Sequence, residues 1–135
     1  MNVRLAGLDD TPGVLAVWGE ARSAAAVTPD NAAAVALAVE KRALLIAEQD
    51  GRIVGALVAG WDGWRGNMYR LAVLTEYRRR GIARALVDAG HEHLREQGAR
   101  RVTALVGVGE DEAEALWQAA GYTLDTEISR FVRNL

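Results

Sequence analysis

Apolar and polar residues alternate along "NVRLAGL", which predicts a first strand. In "DDTPGVLAVWGEA" the spacing becomes helical, with Asp9 or Asp10 as cap and Pro12 where a first turn tolerates proline. "TPDNAAAVALAVEKR" predicts a second helix capped by Thr28 or Asp30. The β-like runs "ALLIAEQ" and "RIVGALVAG" are joined by Asp50-Gly51, a strong hairpin signal. "WDGWRG" reads as a second turn, leading into the strand "NMYRLAV". A long helix runs from about Ile82 to Gln97, with Gly98 as its C-terminal cap. "RRVTALVGV" is a further strand, and Asp111 to Ala120 a short helix stopped by Gly121. "GYTLDTEISRFVRNL" supplies one or two last strands. The order β-α-α-β-β-β-α-β-α-β predicts an α/β (α+β) fold, a mixed, mostly antiparallel central sheet flanked by about four helices, in one domain of residues 1–135.

Composition narrows the chemistry. Half of the 135 residues are hydrophobic and a quarter charged, a soluble globular balance. A formal net charge of −2 argues against a nucleic-acid partner. With no cysteine there is no disulfide framework, thiolate metal site or cysteine nucleophile, and His91 and His93 alone are too few for zinc. No run reaches the ~18 apolar residues of a membrane span, and "MNVRLAGLDD" has no apolar signal core, so the expected location is the cytoplasm. Lys41 is the only lysine among many arginines, which reflects genome composition before function.

The stretch "EYRRRGIARAL" carries most of the functional information. Arg78, Arg79, Arg80 and Arg84 surround Gly81 where a strand gives way to a helix. The first amides of a helix lack intrahelical partners, and with the helix dipole they form an anion site. Gly81 removes a Cβ where a phosphate would approach, and Ala83 is nearly as small. The pattern R-x-x-G-x-A is not the G-x-x-x-x-G-K-[ST] of a nucleoside-triphosphate loop. Roughly 30 residues on comes a short helix ending in "AGY".

"LAVLTEYRRRGIARALVDAG" and "EDEAEALWQAAGY" resemble the cofactor motifs of the GNAT superfamily of N-acetyltransferases. The resemblance follows the element order along nearly the whole chain and is specific from Leu71 to Tyr122. "GWDGWRGNMYRLAV" is similar to a bacterial branch carrying an Asp-Gly-x-Arg-Gly turn before the cofactor strand. The resemblance implies a GNAT-like acyl-CoA N-acyltransferase fold, acetyl-CoA as cosubstrate, no metal, and an amine acceptor that is a small molecule or a protein. It implies that the backbone of Leu71, Ala72 and Val73 pairs with the pantetheine arm beside a bulge. It also implies that amides from Arg79 through Ile82 and Ala83 to Arg84 cradle the pyrophosphate. Arg78, Gly81 and Ala83 match the motif positions, Arg80 or Arg84 reaches the outer phosphate, and Trp117 lines the tunnel or packs in the core.

Acyl transfer to an amine needs a route for the amine proton, a donor for the oxyanion and a proton for the leaving thiolate. The expected oxyanion donor is the backbone N–H near Val73. The glutamate many members carry on the cofactor strand or the strand after the long helix is absent from "NMYRLAV" and "VTALVGV". Trp117 stands where many have a tyrosine acid, and Glu110 where an asparagine is usual. Tyr69 and Asp62 rank first as catalytic groups, ahead of Glu48, Glu110 and Tyr122; water relays are the alternative. Plainer readings stand beside these. Asp62-Gly63 also reads as a hairpin turn, His93 as a packed histidine, Tyr122 as a core plug, and Trp61 and Trp64 as packed down or waiting for a ligand or subunit. A non-catalytic acyl-CoA-binding or regulatory module is the competing function. Both a monomer and a homodimer fit a short last strand.

Overall fold

The computed structural model of the protein describes residues 1–21 and 30–135. Strand β1 (Asn2–Leu5) is followed by helices α1 (Thr11–Glu20) and α2 (Ala32–Glu40). Strands β2 (Leu44–Gln49), β3 (Arg52–Trp61) and β4 (Gly66–Val73) come next, then α3 (Ile82–Gln97), β5 (Val102–Ala104) and α4 (Asp111–Ala119). Single 3-10 turns cover Leu8–Asp10 and Thr75–Tyr77. The five strands form one sheet in chain order, antiparallel from β1 to β4 and parallel between β4 and β5. The predicted mixed sheet with four flanking α-helices is therefore present.

Local chemistry accounts for most junctions. Asp50 (φ 54°) and Gly51 (φ 73°) both adopt the left-handed conformation that a two-residue hairpin requires. Gly98 closes α3 at φ 109°. Gly121 (φ 96°) ends α4, with its N–H on Gln118 O and the Tyr122 N–H on Trp117 O, both at 3.0 Å. Asn31, not Asp30, caps α2, its Oδ1 accepting from the Ala34 N–H at 2.8 Å; Thr28 lies outside the described residues. Asp10 holds the N-cap position of α1, but its carboxylate turns back to the Gly7 N–H and to Arg4, each at 2.8 Å.

The core lies on both faces of β3. Leu57 faces α3, where a Cβ on Gly90 would lie 3.2 Å from it and 2.6 Å from Met68 Cε, so a glycine lets the helix seat on the sheet. The next residue, Val58, faces the opposite side, with Trp18 of α1. Ile82, Leu86, Val87 and Leu94 form the buried stripe of α3.

Two expectations are corrected. The strand read from "RRVTALVGV" is only three residues long, because its pairing with β4 ends at Met68, where the Leu105 N–H to Met68 O bond (3.1 Å) is the last rung. The final strands do not form: no residue from 123 to 135 has a backbone–backbone hydrogen bond among the described residues, and a strand without a ladder partner is not a strand. None of the described helices is long and apolar enough to cross a membrane.

Candidate active site

The sheet splits where β4 bulges. Ala56 pairs with Ala72 and Val58 with Tyr69, so Leu57 alone faces both Arg70 and Leu71. Arg70 adopts φ 58°, an uncommon conformation for a side chain of its size. β5 follows β4 only from Gly66 to Met68, and beyond that the two diverge. The Leu74 N–H bonds Val54 O at 2.9 Å, which makes Val73 and Gly55 a non-hydrogen-bonded pair. The N–H and C=O of Val73 therefore point into the split, away from β3. The Val73 carbonyl accepts from Arg78 Nε at 3.2 Å, leaving the N–H facing the split.

The N-terminus of α3 opens at the same split. Its first intrahelical bond runs from Ala85 N–H to Gly81 O (3.0 Å), so the amides of Ile82, Ala83 and Arg84 have no helical partner. No side chain caps the helix. Arg79 (φ 62°) and Gly81 (φ 80°) turn the loop backbone toward the opening. A Cβ on Gly81 would meet no protein atom within 4 Å, so the positive φ demands glycine and the space beside it is open.

These features line a cavity of about 920 Å³ running from Tyr69–Val73, past the α3 N-terminus, to Leu116 and Trp117 of α4. Of the eleven residues expected to hold the cofactor, ten line it; Arg80 instead lies over the Tyr77 ring, 5.0 Å from its centroid. Arg84 ties the two motif helices together, with Nε on Asp88 (3.1 Å) and Nη1 on the Ala119 carbonyl (3.1 Å). A second cavity of about 450 Å³ lies between α2 and the β3–β4 hairpin. Trp18, Tyr69 and Arg70 line both, and so stand where the contents of the two would meet. Arg70 pairs with Asp30 at 2.5 Å and lies over the Trp18 ring.

The other expected residues occupy definite places. Asp62 lines the second cavity, but its Oδ1 accepts the N–H groups of Arg65 (2.6 Å) and Trp64 (2.7 Å). Those amides, Arg65 first, hold its carboxyl below the usual range, which makes it a weak base. Trp61 packs down and lines the second cavity, whereas Trp64 is 84% exposed. Glu110 lines the first cavity and accepts the Gly107 N–H at 3.2 Å. Glu48 sits near the end of β2, between β1 and β3, within 3.4 Å of Arg4. Tyr122 packs edge-on against Trp117, with its hydroxyl 2.7 Å from His91 Nε2, and burial pushes its phenol up to about 12. His93 Nε2 donates to the Arg42 carbonyl at 2.6 Å, a structural link. Sequence reading gave Trp18 and Arg70 no role and took Asp30 only as a candidate helix cap. The proline-started helix placed Trp18 on α1, but nothing local signalled the bulge it supports. No group of three or more His, Asp or Glu able to hold a metal occurs among the described residues.

A central sheet split at a β4 bulge, with an uncapped helix N-terminus at the mouth of the split, defines the GNAT fold. Residues 18–122 match the Acetyltransferase (GNAT) family, and the chain belongs to it. It is 32% identical over 84 residues to acetyltransferase SG1711 of Sodalis glossinidius (strain morsitans), 62% of this chain and 59% of that protein. The aligned stretch thus spans under two thirds of that relative's length. Among solved structures, Ard1 from Thermoplasma volcanium superposes with a TM-score of 0.82 at 20% identity, over 93% of this chain and 84% of that one. The PaiA N-acetyltransferase from Thermoplasma acidophilum, in complex with coenzyme A, superposes with 0.81 at 12% identity, over 92% and 90%. At these identities the likeness is one of fold.

Proposed function

We propose that the protein transfers an acetyl group from acetyl-CoA to a primary amine by direct attack on the thioester. The observation that carries this reading is the Val73 N–H opening into the same cavity as the uncapped amides of Ile82, Ala83 and Arg84. An extended acyl chain ending in a diphosphate fits that pairing of a free strand edge with an anion site. Leu71, Ala72 and Val73 supply the edge, and the loop from Arg78 to Arg84 the diphosphate cradle. Arg80 serves only as a peripheral charge.

In the reaction the amine nitrogen bonds to the thioester carbon and the carbon–sulfur bond breaks. The products are an amide, the free thiol of coenzyme A and one proton released from the ammonium form of the acceptor. The Val73 N–H faces the developing oxyanion. Tyr69, which lines both cavities, hands a proton to the leaving sulfur in this reading. Asp62 shapes the lip of the acceptor cavity through its turn. The acceptor's proton leaves through water, because of the two carboxylates lining the second cavity Asp30 is paired with Arg70 and Asp62 is held by turn amides.

The test is calorimetry with acetyl-CoA, followed by thiol release over a panel of small amines and peptides. Tight binding with turnover supports the enzyme. Binding without thiol release on any acceptor favours a non-catalytic acyl-CoA-binding module, a reading supported by Trp117 at the place expected for a tyrosine acid.

A further inference from the structure

The second cavity carries charge at both ends, and the two ends differ. Tyr69, which lines both cavities, stands opposite Val58 in the sheet and marks the end shared with the cofactor cavity. Arg70 also lines both, and its pairing with Asp30 at 2.5 Å leaves that end neutral. From Val58, β3 runs outward to Trp61 and the chain goes on to Asp62. α2 runs the same way, from its cap beside Asp30 to Lys41, just before the Ala43 carbonyl that accepts the Ala59 N–H at 2.7 Å. The outer end therefore presents Lys41 and Asp62. Among the described residues the Lys41 ammonium has no ion-pair or hydrogen-bond partner, and Asp62 spends only Oδ1, on the amides of Trp64 and Arg65. Those amides keep its carboxyl ionised. Leu37, Ala38 and Val58 give the wall between the two ends an apolar lining. Val58 to Trp61 covers about 10 Å at the rise of a strand, and Ala34 to Lys41 about the same at the rise of a helix.

We propose that the acceptor is a free basic α-amino acid, of the lysine or ornithine kind, acetylated on its side-chain amine. This acceptor rests on the acetyl transfer proposed above. Its α-carboxylate meets Lys41, and its α-ammonium meets the second oxygen of Asp62. The aliphatic chain crosses the apolar wall and brings the side-chain nitrogen to the end at Tyr69. There the nitrogen bonds to the acetyl carbon and the carbon–sulfur bond breaks. The thiol of coenzyme A and one proton leave, and the α-groups are unchanged. One cation and one anion, not paired with each other, match a zwitterionic head; a simple amine leaves Lys41 unanswered. A lysine inside a polypeptide has neither α-charge and gains nothing from either residue.

The test compares lysine with three relatives that lack parts of the head: cadaverine has no carboxylate, 6-aminohexanoate no α-amine, and Nα-acetyl-lysine amide neither charge. Thiol release from acetyl-CoA is followed over a range of concentrations of each. Lysine should show the lowest KM, with each relative at least about tenfold higher, the size of one charge-assisted hydrogen bond lost. Lys41→Met should erase the advantage over cadaverine, and Asp62→Asn the advantage over 6-aminohexanoate. In both variants kcat for lysine should hold, because neither residue touches the reacting atoms. A relative used as well as lysine, or a Lys41→Met protein that keeps the full preference over cadaverine, overturns the inference and leaves acetyl transfer standing. Calorimetry on protein saturated with coenzyme A reads the head group without turnover: lysine should bind, and at least about tenfold more weakly to Lys41→Met. If no amine is acetylated, the proposed reaction fails and the head-group site is judged by that calorimetry; no heat with lysine overturns it.

Discussion

The Trp18 indole N–H donates to the Arg70 carbonyl across 2.9 Å, joining α1 to the residue at which β4 bulges. The same indole lies under the Arg70 guanidinium. A left-handed arginine inside a strand is strained, and it persists where its surroundings hold it. Trp18, with Asp30 on the guanidinium, provides that hold, and the bulge in turn separates β4 from β5. Trp18→Phe keeps an aromatic ring, although a smaller one, and removes the N–H. The expected cost in stability is about 1 kcal/mol, for one hydrogen bond lost and a carbonyl left short of a donor. The expected functional effect is larger: a rise of about tenfold in KM for acetyl-CoA, because the slot is held open less firmly. Thermal melting and steady-state kinetics on the one variant separate the two effects.

Gly81 sits at φ 80° with open space beyond its Cα. A side chain there clashes with no protein atom, so the fold loses only the roughly 1–2 kcal/mol cost of a left-handed conformation. Gly81→Asp also puts a carboxylate at the helix N-terminus, which the dipole tolerates and a diphosphate does not. The expected result is a folded protein whose affinity for coenzyme A falls by at least about tenfold, ~1.4 kcal/mol. Calorimetry on Gly81→Asp and Gly81→Ala together checks it; the alanine variant should retain more of the affinity. An unchanged dissociation constant for the aspartate would place the diphosphate elsewhere.

Tyr69 and Asp62 separate by geometry. Tyr69 lines both cavities, whereas Asp62 spends one oxygen on two turn amides. Tyr69→Phe is expected to lower kcat by about 100-fold with little change in coenzyme A binding, the usual size of a lost proton donor. Asp62→Asn retains an oxygen for the turn amides, so near wild-type turnover is expected. Asp62→Ala frees the Trp64–Arg65 turn and should raise KM for the acceptor alone. Full activity in Tyr69→Phe would remove the phenol from the mechanism.

The elements legible in the sequence were those specified by neighbouring residues. Asp50-Gly51 makes its hairpin through two positive φ angles, and Gly81 and Gly98 bracket α3 at the positions where a helix starts and stops. Ten of the eleven proposed cofactor residues share one cavity because a contiguous strand, loop and helix carry nine of them. What escaped depends on contacts between distant segments. The Arg70 bulge has no local signal, since an arginine rarely takes φ 58° of its own accord, and its support comes from Trp18, 52 positions away. Asp30 has the chemistry of a helix cap, yet it serves as the counter-ion of Arg70 while Asn31 caps. Thr126, Ile128 and Val132 carry a strand pattern, but pattern does not supply a partner edge.

The pairing of His91 with Tyr122 predicts how stability responds to pH. Their rings stack at 5.6 Å and the hydroxyl lies 2.7 Å from Nε2, locking α3 to the turn after α4. Burial, the largest cause, lowers the His91 pKa from its ordinary value near 6.5. The unfolded chain therefore takes up a proton at a pH where the folded chain does not, and stability falls as pH drops below about 6.5. At the other end, burial raises the Tyr122 phenol from 10.0 to about 12. Its contribution is complete below pH 10 and is lost as pH rises from there toward 12. Melting temperatures measured across pH should show both slopes in the wild type. His91→Gln, which keeps a polar group near the hydroxyl, should flatten the acid side. Tyr122→Phe should flatten the alkaline side and cost about 1 kcal/mol near neutrality for the lost hydrogen bond. If His91→Gln leaves the acid slope unchanged, the proton is taken up elsewhere than at the His91–Tyr122 pair.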